Sequence, residues 1–150
     1  MEELIPLLFP LALLALGYFV GTNIEKKHYQ SIRKRERATL HVPVVTFGAK
    51  QALPEATETA LFVGSVVISS DYFKTFLLAL RNLVGGRIQS YESLLDRARR
   101  EALLRLKEDA IAWGATEIYN VRYETASVGG QTSGNGIMSV EVIAYGTAVR

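Results

Sequence analysis

Cysteine is absent from this chain of 150 residues. Disulfides, thiolate nucleophiles and thiolate metal sites are therefore excluded, and the composition fits a reducing compartment. Histidine is scarce as well: His28 and His41 are the two present, and Met1 and Met138 are the two methionines. Beyond residue 41 the chain thus lacks the side chain that most often serves as acid, base or metal ligand. Charge of one sign is also in short supply, with a formal net charge of +2. No basic face interleaved with aromatic platforms is visible, so nucleic acid is not an expected partner. Without a nucleophile–base pair, and with Ser69, Ser70 and Asp71 reading as a helix cap, catalysis is the weakest functional class.

Polar residues are missing over residues 4–21, which read LIPLLFPLALLALGYFVG without a single charge. As a helix this run spans ~27 Å, near the ~30 Å hydrocarbon core of a bilayer. Only Glu2 and Glu3 precede it, whereas Lys26, Lys27, Arg33, Lys34, Arg35 and Arg37 follow. A cleaved signal peptide carries its positive charge ahead of the run and a small-residue cleavage site behind it. A buried core helix is usually shorter or flanked by polar periodicity. The expectation is a transmembrane anchor over residues 1–22, set in the lipid bilayer through residues 4–21. A basic juxtamembrane segment over 23–39 and one domain over 40–150 follow. The basic flank predicts a single-pass protein of the cell membrane, N-terminus out, with a cytoplasmic C-terminal domain.

Residues 40–47 (LHVPVVTF) read as a strand, which Pro43 confines to an edge. Residues 59–70 (TALFVGSVVISS) are the clearest strand, with Gly64 marking a bulge or a close backbone approach. A short helix is expected over 72–84, capped by Asp71 and stopped by Gly85 and Gly86. The longest helix runs from Ser90 to about Trp113 and stops at Gly114. Tyr91, Leu94, Ala98, Ala102, Leu106, Ala110 and Trp113 recur every three or four residues along it, forming an inward stripe whose alanines imply close packing. Asp96 with Arg100 and Glu101 with Arg105 form i,i+4 pairs assigned to the opposite, solvated face. Two strands over 116–128 and 137–149 flank the glycine-rich turn GGQTSGNG, as an antiparallel hairpin requires.

Residues 81–103 (RNLVGGRIQSYESLLDRARREAL), 113–128 (WGATEIYNVRYETASV) and 140–149 (VEVIAYGTAV) together resemble the YbjQ family, small uncharacterised proteins that carry a heavy-metal-binding label. The resemblance covers about residues 60–149. Its most specific parts are Val84-Gly85-Gly86-Arg87, Tyr91-Glu92 and Gly114-Ala115. It implies an α+β fold: a β-α-β-β, dodecin-like subunit with one long helix laid on a small antiparallel sheet. It also implies a homo-oligomer, a pentameric ring or a stacked decamer. The N-terminal transmembrane helix is an addition to that pattern.

The metal label sits poorly with these residues, because soft metals prefer thiolate, thioether or imidazole. Glu92, Glu117, Glu124 and Glu141 offer only carboxylates, which read first as solvated surface charge. Gly85, Gly86 and Arg87 ahead of a helix N-terminus suit an anion, and equally suit a plain helix stop followed by a turn. With Tyr91 and Glu92 they form the candidate ligand site. Tyr91, Tyr119, Tyr123 and Tyr145 read as cross-strand partners before they read as a pocket. No cofactor is indicated. The function expected is a membrane-anchored, ring-forming scaffold or binding module. The alternative is a metal-ion or small-anion binding protein with sites at subunit interfaces.

Overall fold

The computed structural model describes residues 5–48, 55–69, 89–128 and 139–150, with the side chains of residues 5–11, 14, 89–91 and 128 outside that description. The elements in chain order are α1 (Ile5–Ala38), β1 (Val44–Val45), β2 (Thr59–Ser69), α2 (Gln89–Trp113), β3 (Glu117–Val128) and β4 (Ser139–Val149). The strands form one sheet in the order β1-β3-β4-β2. The β2–β4 and β3–β4 pairs are antiparallel, but β1 runs parallel to β3. The sheet is therefore mixed, which corrects the purely antiparallel expectation. The α+β class, the long helix and the β3–β4 hairpin stand. The helix expected over 72–84 and the turn over 129–136 lie outside the described residues.

The core forms where α2 lies on β2 and β4. Leu94, Ala98, Ala102, Leu106 and Ala110 are buried at steps of four, against Val66 and Ile68 of β2 and Val140, Val142, Ala144 and Ala148 of β4. Along β2 the even-numbered side chains turn to the helix and the odd-numbered ones turn away. The helix ends because Gly114 takes a φ of +99°, a left-handed conformation that glycine adopts freely. Gly114 N then donates to Ile111 O and Ala115 N to Ala110 O, the paired bonds of a Schellman stop.

The strand expected over 40–47 shrinks to two residues. Pro43 contributes only its carbonyl, which accepts from Ile118 N over 3.0 Å. The next irregularity is in β3, where register slips between Tyr119 and Arg122 and Asn120 takes a φ of +53°. Ile118 faces α2 opposite Ala148, yet beyond the bulge it is Tyr123 that shares this face, opposite Ala144. One inserted residue has reversed the alternation.

Helix α1 is continuous through both the apolar and the basic stretch. Among the described residues no helix is long and apolar enough to cross a membrane. That overturns the transmembrane anchor and the single-pass, N-terminus-out placement derived from it. The supposed juxtamembrane segment is instead the part of α1 that docks. Ile32 is fully buried, Leu104 of α2 is 2% exposed, and the two helices meet there.

Candidate functional site

A charged seam joins α1 to α2. Arg35 sends Nη1 to both oxygens of Glu101, at 3.0 and 2.8 Å, and Nε and Nη2 to the two oxygens of Glu108, each at 2.6 Å. Directly before Glu101 on α2, Arg100 grips Glu36 through Nε and Nη2, both at 2.7 Å. These forked contacts are the strong class of charge-assisted bond. The Arg100 guanidinium lies 6.0 Å from the ring of Tyr29, whose hydroxyl donates to Ser93 O. The i,i+4 spacing places Glu101 on a solvated face, but in the fold the residue is 4% exposed. Burial, the largest influence, pushes its carboxyl up. Hydrogen bonds from Arg35 and Arg105 and the two cationic charges outweigh that, and the group rests below the usual carboxylate range. Arg100 holds Glu36 below that range as well. The Glu108 carboxylate and, in smaller part, Glu101 hold the Arg35 guanidinium firmly protonated against its desolvation.

The second feature is the sheet itself. Glu58 and Arg150 exchange backbone bonds in both directions at 3.1 Å. Hydrogen-bonded pairs alternate along an antiparallel ladder. Ala60, Phe62, Gly64, Val66 and Ile68 therefore turn their backbone groups to β4, and Leu61, Val63, Ser65 and Val67 turn theirs to the outer edge. Among the described residues no strand pairs with that edge. The same odd-numbered residues expose apolar side chains: Leu61 at 67%, Val63 at 50% and Val67 at 57%. A second open edge lies on β3. There β1 reaches Ile118 and Tyr119, and among the described residues the stretch from Arg122 onward pairs with β4 alone.

The residues singled out in the sequence are not brought together. Gly85, Gly86 and Arg87 lie outside the described residues, as does the Tyr91 side chain. Glu92 is exposed in the first turn of α2. Of the basic cluster, Lys26, Lys27, Arg33, Lys34 and Arg37 are exposed, whereas Arg35 belongs to the seam. Tyr119 packs edge-on to Phe47, and its hydroxyl donates to Glu117, whose bond holds the phenol above its ordinary range. Tyr123 projects from the opposite face of the sheet to Tyr145, so these tyrosines line no common pocket. Among the described residues no group of three or more acidic or imidazole side chains is placed to hold a metal ion. Ile24, His28 and Ile32 repeat every four residues along α1, a spacing that carries the sequence's trace of the α1–α2 seam. Of the three, Ile32 is buried and Ile24 is 63% exposed.

A family model for YbjQ, described as "Putative heavy-metal-binding", matches residues 51–150. Among curated proteins, a UPF0145 protein of Clostridium novyi is 36% identical over 96 residues, covering 64% of this chain and 86% of the relative. A UPF0145 protein of Dehalococcoides mccartyi is 40% identical over 89 residues, covering 59% of this chain and 79% of the relative. A UPF0145 protein of Natronomonas pharaonis is 49% identical over 72 residues, covering 48% of this chain and 62% of the relative's own length.

Proposed function

We propose that this chain, which belongs to the YbjQ (UPF0145) family, is a ring-forming homo-oligomeric module with a scaffolding or binding role. The observation that carries this reading is the pair of open sheet edges, one on β2 and one on β3. An unpaired edge is a template for another strand. The two edges are different surfaces. Joining β2 of one copy to β3 of the next is therefore a head-to-tail contact, which closes into a ring when the rotation permits. The apolar row of Leu61, Val63 and Val67 gives that contact a hydrophobic side. The family resemblance favours five subunits, or ten in two stacked rings.

The metal description finds little support in the residues of the matched segment. Residues 51–150 carry no cysteine, no histidine and one methionine, Met138. Soft metal ions prefer sulfur and imidazole ligands, so the donor set does not fit a heavy-metal site.

The absence of native cysteine allows a clean test by cross-linking. Val63→Cys is combined in turn with Arg122→Cys, Glu124→Cys or Ala126→Cys, all on the outer face of the sheet. Under mild oxidation at least one pair is expected to give a ladder of linked subunits that ends at the ring size. Efficient dimer formation by Val63→Cys alone, with no ladder from any pair, would replace the ring with a β2-to-β2 dimer.

A further inference from the structure

We infer that Arg105 latches the open edge of β2 and sets how tightly a second copy pairs there; this rests on the edge-to-edge reading above. Ser65 lies near the middle of β2, and its carbonyl is among those turned to the outer edge. Arg105 reaches across from α2 and donates Nη1 to that carbonyl over 2.8 Å. Its Nε donates to Glu101 Oε1 over 3.0 Å. Glu101 also takes the Arg35 guanidinium, at 2.8 Å. Arg35, Glu101, Arg105 and Ser65 thus form one unbroken chain of bonds from α1 to the edge of the sheet.

This chain occupies an acceptor that an added strand would use. A strand joining β2 runs about 4.7–4.9 Å away from it, within the reach of the guanidinium. A charged side chain set on an edge is a known device against indiscriminate pairing. N-terminal to Ser65 the edge-facing residues Thr59, Leu61 and Val63 run uncapped and carry two of the three exposed apolar side chains, whereas C-terminal to it Val67 carries the third. Pairing therefore begins on the N-terminal half of β2, and it extends past Ser65 once Arg105 shares or releases the carbonyl. Release strands no buried charge. The Arg105 side chain is 49% exposed and can turn to water, while Glu101 keeps its bonds to Arg35.

The test compares the full wild-type chain with Arg105→Met, which keeps an unbranched apolar stem and removes every donor. Arg105→Lys, which keeps a cation beside Glu101, serves as the second variant and guards against loss of fold. Association is read by analytical ultracentrifugation over a concentration series, with circular dichroism confirming the fold. Arg105→Met is expected to tighten the apparent association constant about tenfold, equivalent to ~1.4 kcal/mol. Arg105→Lys is expected to fall between it and the wild type. A wild-type chain that assembles with the same or greater affinity than both variants would overturn the latch alone. Monomeric behaviour of all three would overturn the edge-to-edge reading, and the latch with it.

Discussion

Gly64 of β2 presses directly on the backbone of Ala102 in α2: a Cβ at residue 64 would stand 2.1 Å from the Ala102 carbonyl oxygen and 2.6 Å from Leu106 N. Backbone cannot move aside as a flexible side chain can, so the helix itself would have to lift. Gly64→Ala is expected to destabilise the fold by about 3 kcal/mol, at the upper end of overpacking costs. Chemical denaturation would show it as a lowered midpoint. An unchanged midpoint would mean that α2 does not lie this close to β2.

Leu106 is the complementary case, a fully buried side chain at the centre of the same interface. Leu106→Ala removes apolar contacts and leaves a cavity between α2 and the sheet. It is expected to cost roughly 2–5 kcal/mol, with partial collapse of neighbouring residues deciding the value. A thermal melt unaltered by the substitution would remove Leu106 from the core.

The strand–helix–hairpin pattern was legible because its signals are local. The four-residue steps from Leu94 to Ala110, the β-branched run of β2 with its glycine at residue 64 and the helix stop at Gly114 each act within a few residues. What the sequence hid depends on long-range geometry. The parallel pairing of Val44 and Val45 with β3 involves two residues far apart in sequence from their partners. The alternation in β3 reads ambiguously because the bulge at Asn120 switches its phase midway. Glu101 looks like one member of an ordinary exposed i,i+4 pair. Its burial follows from the approach of α1, a second helix whose contact face shows only a weak repeat. The basic cluster reads as a membrane flank because charge composition does not reveal that Arg35 faces two carboxylates on another helix.

The seam also sets an acid response. Glu101 and Glu36 both sit below their ordinary value of 4.5 in the folded chain. A carboxylate depressed by folding contributes stability that is complete above its unfolded value and is lost as pH falls through the folded one. Stability is therefore expected to decline below about pH 4.5, as the contacts of α1 with α2 are protonated. Glu101→Gln should lower stability at pH 7 by roughly 3 kcal/mol, since it leaves Arg35 short of a charged partner. It should also flatten the acid limb of the curve. An acid limb identical to that of the wild type would show that Glu101 is not one of the groups responsible.

The open edge of β2 makes a prediction of its own. Val63→Lys places a charge in the exposed apolar row without touching α2, because residue 63 faces away from the helix. Edge lysines oppose strand addition. The variant is expected to fold with an unchanged melting transition, within about 0.5 kcal/mol of the wild type, as exposed substitutions usually do. Its self-association, followed by light scattering after gel filtration, should weaken by at least about tenfold, or ~1.4 kcal/mol. Undiminished assembly would place the subunit contact elsewhere on the molecule.

Native mass spectrometry of the full chain at micromolar concentration tests the ring most directly. Head-to-tail pairing of β2 with β3 consumes one edge of each kind per subunit, so a ring whose rotation closes stops at a fixed number. The predicted result is one dominant species of five subunits or a multiple of five. A monodisperse monomer, or a dimer that grows no further, would contradict the ring and the scaffolding role built on it.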